Sequence, residues 1–259
     1  MHVTTDDDAR IYVEAAPDNG KPPLVFSNSL GTNLHMWDAQ VAAFGEHFRV
    51  IRYDSRGHGR SDAPKGPYSI ERLGRDALAV FDALGLKRTS FCGLSKGGMV
   101  GQWLGAHAPD RIERLVVSNT AAYIPAPDLW NQRIETATHN GMAPLAKGII
   151  ERWFSPEFRA ASPVEVDRVN NMVLATPPLG YAACCGAIRD MDQRDSIKGI
   201  TVPTLVVIGE KDPATPPDRG QEIHKLIAGS ELALLDAAHL SNIEKTDAFN
   251  RTVLAFLTR

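Results

Sequence analysis

The chain has 259 residues, 43% of them hydrophobic and 23% charged, with 28 basic against 31 acidic residues and a net charge of −3. That composition supplies one sizeable core. It lacks the basic footprint of a nucleic-acid-binding domain, and no apolar run reaches the roughly 18 residues of a membrane span.

The N-terminus, Met1–Arg10, is acidic where a secretory leader is basic and then apolar. Of the three cysteines, Cys184 and Cys185 are adjacent, which gives neither a disulfide framework nor a zinc site. The expectation is a cytoplasmic protein with reduced thiols, no metal, and no nucleic-acid or membrane partner.

Met1–Thr4 and Arg10–Ala15 read as a hairpin at a sheet edge. Short apolar runs follow at Leu24–Ser27, Arg49–Tyr53, Ser90–Cys92, Leu115–Ser118, Thr204–Ile208 and Glu231–Leu235. Several are apolar almost throughout, as strands covered on both faces are. Between them, Ser69–Leu84 and Gly98–Ala108 carry apolar residues at helical spacing. Alternating strands and helices predict an α/β fold, with a mostly parallel central sheet flanked by helices.

From about Tyr123 to Asp195 no convincing strand occurs. Helices are expected at Leu129–Asn140, Ala143–Trp153 and Val164–Leu174, with proline-marked joints between them. The chain therefore divides into a core of residues 1–122 and 196–259 and a helical cap, residues 123–195. The cap is expected over the C-terminal edge of the sheet, where open α/β sheets bind ligands.

Gly93-Leu94-Ser95-Lys96-Gly97 lies between a predicted strand and a predicted helix. A serine on such a turn projects its hydroxyl, and the helix N-terminus aims backbone N–H groups at developing negative charge. A serine nucleophile needs a base, and the base needs an orienting acid. His239 sits just past the strand Glu231–Leu235, whereas His224 falls within a helical pattern. Asp212, past the strand Thr204–Ile208, is the candidate acid, with Glu210 and Asp236 as competitors. The oxyanion donors expected are the N–H groups of Lys96 and Leu30, with Ser29 as the fallback for the second. Ser241-x-x-Glu244 reads as a capping box that opens the last helix. His58, in Arg-Gly-His-Gly-Arg-Ser, precedes the nucleophile and reads as part of a structural turn with Asp54 and Arg56.

GLSKG (93–97), SNSLGTNLHMW (27–37) and RYDSRGHGRSDAPKGPYSIERL (52–73) make the chain resemble the α/β-hydrolase superfamily. With LWNQRI (129–134), RWF (152–154), GYAACCGAI (180–188) and AHLSNIE (238–244) it resembles, nearly end to end, the 3-oxoadipate enol-lactonases of the β-ketoadipate pathway. The resemblance implies cofactor-free hydrolysis of a small anionic lactone in aromatic-compound catabolism. A general carboxylesterase or C–C bond hydrolase on the same three residues is the alternative, and a non-catalytic small-molecule receptor a remote one.

Lys96 departs from the apolar residue usual at this position of the family. Its side chain is expected to border the pocket, pairing there with a substrate carboxylate, or to turn outward. A carboxylate under a lid needs a cation. Arg133 is the choice among six cap arginines because Trp130, three residues earlier, shares its helical face and offers an apolar wall. Trp153 is expected to line the same pocket.

Overall fold

The computed structural model describes the whole chain, Met1–Arg259. Eight strands run β1 His2–Thr4, β2 Arg10–Ala15, β3 Pro23–Ser27, β4 Arg49–Tyr53, β5 Thr89–Leu94, β6 Ile112–Ser118, β7 Thr204–Gly209 and β8 Glu231–Leu235. They form one sheet in the order β1-β2-β4-β3-β5-β6-β7-β8. Only β1 and β2 pair antiparallel with their neighbours, so the expected hairpin occupies one edge and the rest of the sheet is parallel.

Around the sheet lie α1 Asp38–Gly45, α2 Ile70–Ala83, α3 Lys96–His107, α9 Pro217–Leu226 and α11 Thr246–Leu257, with the short α10 Ser241–Glu244 before the last. Helix α1 packs against α11, while α2 packs against α3. Strands β5 and β7, both interior to the sheet, are buried at every residue, which is why their sequences show no alternation. Strand β8 departs from that pattern. It is the far edge, and Leu232 and Leu234 are 39% and 52% exposed.

Between β6 and β7 lie α4 Pro127–Asn140, α5 Ala143–Trp153, α6 Pro156–Ala161, α7 Pro163–Ala175 and α8 Pro178–Asp190. A bridge between Tyr123 and Asp192 closes the base of this segment. Helices α6 and α8 were not expected from periodicity. Helix α8 is buried nearly all round, so its Gly-Tyr-Ala-Ala-Cys-Cys-Gly-Ala-Ile run has no polar face to mark it. Trp130, Ile149, Trp153 and Tyr181 of these helices join the same apolar cluster as the sheet strands, so the segment is packed onto the core.

Candidate active site

Ser95 stands between β5 and α3 with φ 56° and ψ −117°, a conformation costly for a residue with a Cβ. The surrounding glycines make the turn possible. A Cβ on Gly93 would meet Gly97 O at 2.0 Å, and one on Gly97 would meet Ser27 O at 2.1 Å. Neighbouring strand β6 holds the turn from the side. Ser95 N–H donates to Ser118 O at 2.9 Å, and Thr120 Oγ1 donates to Ser95 O at 2.7 Å.

His239 and Asp212 come from loops past β8 and β7 and are 2% and 3% exposed. His239 Nδ1 lies 2.8 Å from Asp212 Oδ2, so Nε2 is the nitrogen left for the pocket. The carboxylate also accepts from Ala214 N (2.8 Å), Thr215 N (3.0 Å), Thr215 Oγ1 (2.7 Å) and Asn119 Nδ2 (3.0 Å). Burial pushes the Asp212 carboxyl up, but the His239 charge and the hydrogen bonds from His239 and Thr215 outweigh it and hold it below the usual aspartate value. The competing acids are elsewhere: Glu210 is exposed, and Asp236 is at the surface paired with Lys211 at 2.6 Å. His224, on α9, is bonded to Ser230 beyond the helix end.

Ser95 and His239 line one cavity with Leu30, Trp130, Arg133, Arg152, Trp153 and Tyr181. The hydrogen bonds of His239 run from Nδ1 to Asp212 and Thr215, and none joins it to Ser95 Oγ; a nucleophile–base bond commonly tightens only in the substrate complex. The Trp153 ring stacks near His239 with centroids 6.2 Å apart.

The loop after β3 is wired from the Arg-Gly-His-Gly turn. Gly31 N–H donates to His58 Nε2 at 2.8 Å, and Ser29 N–H faces Met36 Sδ at 3.3 Å. Leu30 N–H, between them, has no acceptor within the chain. Burial, then the charge of Lys96, pushes His58 well below the ordinary histidine value, as suits a neutral ring that accepts at Nε2. Asp54 takes Leu34 N–H and Arg60 N–H, and Arg56 forms paired bonds to Asp76 and Asp7.

Two expectations are overturned. The Lys96 side chain neither borders the cavity nor turns outward. It is fully buried away from the cavity lining, and its Nζ has no hydrogen-bond partner. Nor do Ser241 and Glu244 form a capping box. Ser241 Oγ donates to Asn119 Oδ1 at 2.6 Å, and Glu244 Oε2 accepts from Ser155 N and Ala238 N, each at 3.2 Å. The last long helix begins two residues later, at Thr246.

Of the six arginines weighed in the helical segment, four are engaged away from the cavity. Arg168 pairs with Glu165, Arg189 with Asp190, Arg194 with Asp192, and Arg159 with the carbonyls of Glu151 and Phe154. Arg133 and Arg152 line the cavity without a carboxylate partner. Arg133 donates to the Tyr181 hydroxyl at 3.3 Å and lies 5.2 Å from the Trp130 ring centre. Burial, then Arg133 itself, lowers the value of Arg152. The indole N–H of Trp130 is buried without a partner.

Residues 22–246 match the family described as alpha/beta hydrolase fold. The chain belongs to the α/β-hydrolase family. Within it, the chain is similar to 3-oxoadipate enol-lactonase 2 of Acinetobacter baylyi, 42% identical over 92% of this chain and 90% of that one. It is also similar to 3-oxoadipate enol-lactonase 1 of the same organism, 38% identical over 93% of this chain and 90% of that one. The crystal structure of the enol-lactonase from Burkholderia xenovorans superposes with a TM-score of 0.98 at 44% identity, covering 100% of both chains. The resemblance read from the motifs therefore holds over the whole length of this α/β hydrolase. Thr215 and Asn119, which grip the Asp212 carboxylate, were missed by sequence reasoning. Thr215 lies three residues after Asp212 and had a local signal in that spacing, whereas Asn119 is distant in sequence and had none.

Proposed function

We propose that this α/β hydrolase is a 3-oxoadipate enol-lactonase, with Ser95 as nucleophile, His239 as base and Asp212 as its orienting acid. Ser95 Oγ attacks the lactone carbonyl while His239 Nε2 takes its proton. Asp212, kept ionised, holds the imidazole in the productive tautomer and stabilises the imidazolium. The tetrahedral oxyanion sits between the N–H of Lys96, at the start of α3, and that of Leu30. Collapse breaks the ring C–O bond. The departing enol oxygen receives the proton from His239 and the enol rearranges to a ketone, which makes it a better leaving group than a simple alkoxide. Water activated by His239 then attacks the Ser95 ester, releasing 3-oxoadipate and restoring the serine. Residues 123–195 act as the cap that covers the bound lactone.

The observation that carries this reading over a general esterase is the pair of guanidiniums, Arg133 and Arg152, in the cavity that holds Ser95 and His239, neither of them neutralised by a carboxylate. A site dedicated to neutral esters has no use for two such cations in a cavity wall, because their partial desolvation goes uncompensated. An anionic lactone supplies the missing partner, and a guanidinium matches a carboxylate with two parallel hydrogen bonds. Trp130 adds an apolar wall to the same cavity, and Trp153 stacks near His239. The test is multiple-turnover loss of the enol-lactone at neutral pH, with a neutral aryl ester of similar size in parallel. Turnover of the lactone with much lower kcat/KM on the ester is expected. Preference for the neutral ester would replace the assignment with a carboxylesterase.

A further inference from the structure

The side chain of Asn119, just past β6, reaches both loops that carry Asp212 and His239. Its amide is buried and fully satisfied. Oδ1 accepts from Ser118 Oγ at 2.8 Å and from Ser241 Oγ at 2.6 Å. The other end faces a carboxylate and a backbone carbonyl, which can only accept, so that end is the NH₂ group and the hydroxyls donate to the oxygen. That group donates to Asp212 Oδ2 at 3.0 Å and to Ala238 O at 3.2 Å. Asp212 Oδ2 is the oxygen that also faces His239 Nδ1, and Ala238 immediately precedes His239. The flanking residues grip the elbow, Ser118 through its carbonyl and Thr120 through its hydroxyl.

Two features of the backbone serve this placement. Asn119 has φ 45°, in the left-handed region that asparagine tolerates better than most residues with a Cβ. Gly209, at the end of β7, leaves the space the amide crosses: a Cβ there would meet Asn119 Nδ2 at 2.6 Å and Ala238 O at 2.4 Å. A buried side chain in an unfavourable backbone conformation, with all four hydrogen-bonding positions used, is over-determined by its surroundings.

We infer that Asn119 is a positioning residue for the hydrolytic reaction: it locks the Asp212 oxygen that orients His239 and ties that oxygen to the His239 loop. The inference rests on the assignment of Ser95, Asp212 and His239 above. Asn119 does not line the cavity, so its effect passes through Asp212 and His239 and falls on the chemical step. The ionisable groups around this point are Asp212 and His239 themselves, Glu244 on the Ala238 amide, the surface pair Lys211–Asp236, and Arg133 and Arg152 across the cavity.

Asn119→Gly and Asn119→Asp both accept a positive φ, so neither adds backbone strain. Asn119→Gly removes the amide; kcat is expected to fall about tenfold or more, the loss of a hydrogen bond to a charged group, with KM little changed. Asn119→Asp keeps the shape but places a second carboxyl against Asp212, so the two share a proton. At low pH that proton replaces the amide donor. As pH rises and the proton is lost, two carboxylates act on one imidazole and hold it protonated, so kcat/KM relative to the unsubstituted protein falls with pH. Wild-type kcat in Asn119→Gly, or a loss in Asn119→Asp by one factor at every pH, overturns the inference, because a packing role is insensitive to the proton. Asp212→Asn run alongside separates the two levels: if it is inactive while both Asn119 variants are unaffected, only the Asn119 role fails; if it is fully active, the assignment of the acid fails.

Discussion

Lys96 offers the sharpest separation of backbone from side-chain roles at the elbow. Its N–H is assigned to the oxyanion, yet its ammonium group is fully buried, with no hydrogen-bond partner. Burial pushes the amine down from its ordinary 10.5, against the partial pull of Cys184, Asp76 and Asp54. The substitution to examine is Lys96→Met. Leaving a buried polar group unpaired costs about 1–3 kcal/mol. Methionine has a similar length and an adaptable thioether, so the swap itself costs less than about 1.5 kcal/mol. With both terms near mid-range, about 2 and about 0.75 kcal/mol, the net gain is about 1 kcal/mol, which at about 2–4 °C per kcal/mol for a chain of this size raises Tm by about 2–4 °C at pH 7.

The pH dependence has a definite sign. Below 10.5 the unfolded chain holds a proton on Lys96 that the folded chain binds less well. The stability this residue removes is therefore restored as pH rises toward 10.5, and the advantage of the methionine variant shrinks over the same range. Thermal unfolding at pH 7 and near pH 10, with kcat and KM on the enol-lactone measured alongside, provides the assay. Kinetics close to wild type are expected, because the backbone N–H is retained. A lowered Tm at pH 7, or a tenfold rise in KM confined to the anionic substrate, would refute the reasoning and return the ammonium group to the cavity.

Ser95→Ala and His239→Ala should each lower kcat by a factor on the order of 10⁶, with the double variant little worse, since the residues act as one unit. Asp212→Asn should lose about 10⁴ through the wrong imidazole tautomer, whereas Glu210→Gln and Asp236→Asn should stay near wild type in the same steady-state assay. Arg133→Met and Arg152→Met should each raise KM about tenfold or more for the charged lactone, about 1.4 kcal/mol of lost pairing, and spare an uncharged ester; equal loss on both substrates would indicate a damaged cap instead. His58→Ala removes the acceptor of Gly31 N–H and should lower kcat by a factor that does not vary with pH, because the ring is neutral across the working range; a pH-dependent loss would mean that His58 itself carries a proton in the reaction.

Short-range patterns carried much of the fold. The elbow was legible because Gly93, Ser95 and Gly97 must coexist in five residues whatever surrounds them: the clash that forbids a Cβ on Gly93 comes from Gly97 itself. Strands β3 and β7 were legible because burial on both faces leaves a nearly unbroken apolar run, and most helices because one face stays wet. Helix α8 escaped because burial all round erases the same contrast.

What the sequence left open was the choice of partner between distant segments. Ser241 and Glu244 have the spacing of a local cap, but Asn119 and Ser155, 122 and 89 residues away, claim their side chains first. Among six arginines the spacing from Trp130 singled out Arg133, and only the packing of α4 and α5 decided that Arg152 lines the cavity with it while the others meet a carboxylate or a carbonyl. The loop Asn28–Thr32 has several amides. The folded chain decides which of them are taken, because His58 and Met36 arrive from elsewhere to engage Gly31 and Ser29. Lys96 ended in the interior for the same reason: its direction follows from the elbow and from what packs behind it. Local patterns record steric limits within a few residues, whereas hydrogen-bond and ion pairing is a competition among groups that meet only once the sheet has brought its loops together.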